Sequence, residues 1–238
     1  MDKIKTLGRI FIAIALVVFG VQHFMYGAFV AGLVPAWIPG RLFWAYFVGV
    51  AFFAAAAGIL SQRLARPAAT LLGVMFFLFV VLLHIPRIAA HSSDGNEWTS
   101  EFVALAMCGG AWILARNSPL AGREPSAPFL KLGRYFFAVA FVAFGIQHIV
   151  YARFAAGLGP PWFLGRPLWA YLTGAVFVAA GAAIFPEKRR DWRLLSWERS
   201  FFYSFCCFTF LASQPNCTIR ARGPVDLRFW DCVEALWS

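Results

Sequence analysis

The chain has 238 residues, 61% hydrophobic and 13% charged, with a mean hydropathy of +0.69. A soluble domain carries charge on about 25% of its residues, so the composition excludes an ordinary soluble fold. The net charge of +10 does not mark a nucleic-acid surface, because the basic residues are distributed between apolar runs instead of gathering on one face.

Lys3, Lys5 and Arg9 open the chain, and an apolar run follows over about 8–25. A basic start ahead of an apolar stretch resembles a signal peptide. The run is long and no small-residue cleavage site follows it, so it reads as an uncleaved helix. Further runs of similar length fall at about 42–60, 68–86, 100–115, 133–150 and 167–185. About 20 residues of helix cross a hydrocarbon core of about 30 Å. Lipid offers backbone groups no partner and no strand-like alternation is visible, so each span is expected to be helical and the fold class all-α integral membrane.

The charges orient the spans. Lys3, Lys5 and Arg9 precede the first; Arg63 and Arg66 follow the second; Arg116, Arg123, Lys131 and Arg134 separate the fourth and fifth; Lys188, Arg189 and Arg190 follow the sixth. The alternate loops hold only Arg41, Arg87, Arg153 and Arg166. Positive-inside bias then places the N-terminus in the cytoplasm of a multi-pass inner-membrane protein, with the lipid bilayer as its first partner and no role for nucleic acid.

The chain also repeats itself. At a constant offset of 125, Leu7–Leu60 aligns with Leu132–Phe185 without a gap, and 29 of 54 positions are identical. Gly20, Gln22, His23 and Tyr26 recur as Gly145, Gln147, His148 and Tyr151; Pro35, Trp37, Gly40 and Arg41 recur as Pro160, Trp162, Gly165 and Arg166. The first unit, residues 1–116, holds four spans. An even number returns the chain to its starting side, so the two units are expected to be parallel four-helix repeats related by an axis along the membrane normal. Residues 117–131, rich in Pro, Ser and charge, read as a cytoplasmic linker, and 132–190 as the first half of the second unit.

The duplication stops near residue 191. The tail, 191–238, carries four of the five cysteines: Cys206, Cys207, Cys217 and Cys232. Read one base out of register with a free choice of synonymous codons, "DWRLLSWE" can encode Leu-Ala-Ala-Thr-Leu-Leu-Gly, and "CFTFLASQP" can encode Leu-His-Ile-Pro-Arg-Ile-Ala-Ala. The first unit has Ala-Ala-Thr-Leu-Leu-Gly at Ala68–Gly73 and the whole second word at Leu83–Ala90, at the same offset. The tail therefore reads as out of frame, whether by a shift in the gene or by a sequencing error, and the second unit keeps about two authentic spans. Cysteine spacing in such a tail carries no metal or redox meaning, and no metal site is expected elsewhere.

The candidate chemistry lies where the first and third spans end. "GVQHF" places Gln22 and His23 there, "LLHIPR" places His84 and Arg87, and Trp37 sits in the intervening Pro-Trp-Pro loop. Gln22, His23, Trp37, His84 and Arg87 are expected to converge near the outer interface as a polar ligand pocket, with Gln147, His148 and Trp162 as second-copy counterparts. Ionisable groups near membrane depth mark sites by default, and histidine suits proton exchange with a quinone head group. Plainer roles account for the same residues. His23 can bond a loop carbonyl, Trp37, Trp44 and Tyr46 can anchor at the interface, and Arg87 can snorkel. Gly20, Gly27, Gly32 and Gly49 read as close-packing positions, and Thr99 or Ser100 as the cap of the fourth span. Haem ligation by His23 and His84 finds no further paired histidine to support it.

"GRIFIAIALVVFGVQHF", "VPAWIPGRLFWAYFVGVAFFAAAAGIL" and "LLGVMFFLFVVLLHIPR" together resemble the DoxX-like family of small four-helix membrane proteins, over 7–115 and again over 132–190. The resemblance implies a four-helix bundle and a quinone-linked role as a subunit of a membrane oxidoreductase assembly. It assigns no catalytic residue, and whether the chain is itself an enzyme stays open. The competing reading is a non-catalytic membrane assembly or binding protein whose His and Arg residues are structural.

Overall fold

The computed structural model describes residues 2–61, 63–118, 128–157 and 165–185. Their elements are α1 (Asp2–Met25), α2 (Gly27–Leu33), α3 (Arg41–Leu60), α4 (Ala65–Phe79), a π-helical turn (Val80–His84), α5 (Ile85–Ala90), α6 (Gly95–Asn117), a 3-10 turn (Pro128–Lys131), α7 (Leu132–Val150), α8 (Ala152–Gly157) and α9 (Arg166–Ile184). Among the described residues there is no strand. Six segments of the described residues are long and apolar enough to cross a membrane: Thr6–Met25, Arg41–Leu60, Ala65–Ala90, Gly95–Asn117, Pro128–Val150 and Arg166–Ile184.

The helix boundaries follow local chemistry. Gly40 and Gly165 each take φ +69° immediately before α3 and α9. This left-handed conformation costs glycine nothing and lets the chain reverse tightly into the next helix. The third span runs further than the expected 68–86. The wider turn at Val80–His84, where the Ile85 N–H reaches back to the Val80 carbonyl, lets the helix pass Pro86, which has no N–H to give and would clash in a regular α-turn. The fourth span starts at Gly95, five residues ahead of the expected 100, because Asp94 caps it by accepting from the Asn96 N–H at 2.8 Å. Thr99 and Ser100, expected as caps, lie a turn inside and donate back to the Gly95 and Asn96 carbonyls.

Neighbouring long helices run antiparallel in the order α1–α3–α4–α6–α7–α9. Two cores result. In the first, Leu16 and Phe19 of α1, Phe52 and Ile59 of α3, Leu72 and Phe76 of α4, and Cys108 and Ala111 of α6 are buried together. In the second, Ala106 of α6 packs with Phe137, Phe141 and Phe144 of α7 and Ile184 of α9. Helix α6 therefore serves both, one face each. Between helices in lipid, close fit replaces the hydrophobic drive, and the α6–α7 seam shows how. A Cβ on Gly109 would lie 2.6 Å from the Gly133 carbonyl oxygen, and one on Gly133 2.8 Å from that of Gly109. Gly20, Gly27 and Gly49 likewise meet side chains of a neighbouring helix, whereas Gly32 faces open space.

The α7–α9 pair repeats the contacts of α1–α3 at the offset of 125. Gly49 receives His23 and Phe24, and Gly174 receives His148 and Ile149. Residues 119–127 of the expected linker, Trp162 and the whole 191–238 tail lie outside the described residues.

Candidate functional site

One end of the bundle, called the far end below, is where α1 and α5 finish and α6 begins. The sequence-derived candidates sit here, in separate environments. On α1, His23 Nδ1 lies 2.8 Å from the Phe19 carbonyl oxygen. Its ring stands edge-on to Phe52 of α3 with centroids 5.1 Å apart. A histidine one turn past a core phenylalanine reaches back along its own helix to bond that carbonyl, and its ring then closes the α1–α3 seam. His148 does the same on α7: Nδ1 is 2.9 Å from the Phe144 carbonyl oxygen, and the ring is edge-on to Phe177 at 5.3 Å.

Gln22, next to His23, is more deeply buried on α1. It continues the core stripe of Ile12, Leu16 and Phe19, is only 8% exposed, and its Oε1 has no partner. Gln147 is instead half-buried and lines a groove of about 310 Å³ between α6 and α7, with Trp98, Phe102 and Tyr151. Trp37 is 70% exposed, which removes it from any enclosed pocket and suits an interfacial anchor. Trp44 reaches back to the same loop, its Nε1 donating to the Pro39 carbonyl at 3.1 Å.

His84 and Arg87 are brought together on the α4–α5 segment. Arg87 grips Glu97 of α6 with both arms, Nε to Oε2 at 2.8 Å and Nη2 to Oε1 at 2.5 Å. A paired guanidinium of this kind is a helix clasp, and its charge is already answered. His84 lies one turn closer to the bundle middle, within electrostatic reach of both Arg87 and Glu97, and its Nδ1 is buried with no partner. His91 is exposed in the following turn.

The sequence reading missed Glu101. It is 9% exposed, and its Oε2 is buried without a partner. It shares the face of α6 that carries Cys108, Ala111 and Ala115 toward the first core. The available signal was a lone carboxyl inside an apolar span, four residues beyond Glu97. A further groove, of about 370 Å³, is apolar and lies between α3 and α4, with Ala54, Gly58, Ala68, Leu71 and Met75 among its walls. Among the described residues, no three His, Cys, Asp or Glu side chains group closely enough to hold a metal ion.

A family model described as a domain of unknown function (DUF8561) matches residues 12–108, less than half of the chain, from the first turns of α1 to Cys108 in α6. No curated protein and no solved structure matches.

Proposed function

We propose that the chain is a non-catalytic membrane assembly or binding protein whose repeated histidines hold helix pairs together. The observation that carries this reading is the double use of one contact, His23 on the Phe19 carbonyl and Phe52 ring, and His148 on the Phe144 carbonyl and Phe177 ring. The second copy keeps that geometry although the residue 125 positions after His84 is Thr209. The arrangement therefore does not depend on a ligand shared between two imidazoles. Arg87, answered by Glu97, supports the same reading.

The wider reading is a DoxX-like protein of the inner membrane with a cytoplasmic N-terminus. It is built as two parallel repeats, and the second is interrupted near residue 191 by translation out of frame. Resequencing the locus tests the last point: an intact frame whose shifted codons do not spell the first unit's third and fourth spans ends it.

A second reading, a quinone-linked subunit of a membrane oxidoreductase assembly, draws on the unpartnered Gln22 Oε1 and His84 Nδ1. Solvent extraction of the purified full-length protein, with its absorbance spectrum, separates the two. The assembly reading expects quinone well below one per chain and unchanged in His23→Ala. Stoichiometric quinone that falls in His84→Ala would replace it with the redox reading.

A further inference from the structure

Near the far end of the first unit, three buried polar atoms have no partner among the described residues: Gln22 Oε1, His84 Nδ1 and Glu101 Oε2. Leaving a polar group unpaired in a protein interior is costly, and leaving an ionisable one unpaired inside a membrane costs more. Native proteins answer such groups with another side chain, water or a ligand.

His84 and Glu101 belong to neighbouring helices, and two contacts fix their register. In an antiparallel pair, the numbers of facing residues keep a constant sum. A Cβ on Gly73 of α4 would lie 2.2 Å from Trp112 of α6, and Arg87 of α5 holds Glu97 of α6. The two sums agree within one residue, and His84 with Glu101 falls on the same value. Both residues thus stand at one level, about one turn inside the Arg87–Glu97 clasp. The π-helical turn ends at His84 and packs against α6. Such turns recur at functional sites because the extra residue re-aims the side chains around it.

We propose that His84 and Glu101 form a hydrated proton-binding site inside the first helical unit, reached from the far end past the Arg87–Glu97 clasp. The ligand is water carrying one exchangeable proton. That proton comes from the aqueous phase, forms an O–H bond on Glu101 or an N–H bond on His84, and returns by the same route with no other atom exchanged. The charged groups within electrostatic reach of His84 are Arg87 on α5 and Glu97 on α6, with His91 and Asp94 beyond them in the connecting turn, whereas among the described residues no charged side chain acts on Glu101. Gln22, buried on α1, carries the third unpartnered atom at this end. The site stands whether or not the protein carries quinone, since it needs only water and a proton.

Infrared difference spectroscopy of the full-length protein in lipid nanodiscs, stepped between about pH 5 and pH 8, tests this directly. The expected result is a protonated-carboxyl band that responds to pH, disappears in Glu101→Gln, moves its midpoint in His84→Asn, and shifts within minutes of transfer to D2O. If Glu101→Gln does not fold, Glu101→Asp decides, because it keeps the acid and must displace the band. A band that persists in Glu101→Gln, or is unmoved in Glu101→Asp, overturns the proposal. So does a midpoint indifferent to His84→Asn, or a carboxyl that resists D2O for hours.

Discussion

Arg87 reaches from α5 to Glu97 in the first turn of α6 and bonds both carboxylate oxygens, at 2.8 and 2.5 Å. This clasp closes the far end of the α4–α6 pair, just where the π-helical turn has loosened the regular backbone. The arginine is more than a third exposed, so solvent screens much of the attraction. A double-mutant cycle with Arg87→Ala and Glu97→Ala, read by thermal unfolding in detergent, should give a coupling of about 1 kcal/mol. Additive losses would show the two side chains to be independent.

The α6–α7 seam depends on the absence of side chains at two positions. Each of Gly109 and Gly133 would drive a Cβ to within 3 Å of the other's carbonyl oxygen. Backbone cannot yield as a flexible side chain can, so Gly109→Leu should cost about 1–3 kcal/mol or more and separate the two cores. Gly32→Ala is the control, since nothing lies within 4 Å of its Cβ position. There the added methyl should leave stability equal or slightly raised, by about 0.5 kcal/mol. Melting temperatures of the two variants, measured side by side, check both signs.

The π-helical turn holds one surplus residue between α4 and α5. Deleting Leu82 should convert it to a regular α-turn and leave the downstream segment in register, so that Arg87 still meets Glu97. Deleting Leu71 from the regular part of α4 should instead rotate everything beyond it by about 100° and unpack the first core. Comparable yields and melting temperatures for the two deletions would contradict this account of the turn.

The middle of every span was legible in the sequence, because runs of apolar residues of membrane length have no other stable backbone solution. The ends were less so. The fourth span gained a turn from Asp94, a cap that lay beyond the apolar pattern, and the third passed Pro86 because a π-turn absorbed it. Of the expected pocket residues, His84 and Arg87 do share one helix segment. The sequence did not show that Arg87 is taken by Glu97 or that Trp37 faces outward. Glu101 escaped notice because spacing along one helix does not say which face turns toward a neighbour. That follows only from the packing of α6 between two cores.

The most direct measurement compares the thermal stability of His23→Ala and His148→Ala in the full-length protein. Each substitution removes one side-chain bond to a backbone carbonyl and one edge-on ring contact, together about 1–2 kcal/mol. Similar drops in melting temperature are expected for the two. A protein that tolerates His23→Ala without loss, while His148→Ala is costly or both are harmless, would contradict the structural role assigned to this repeated contact.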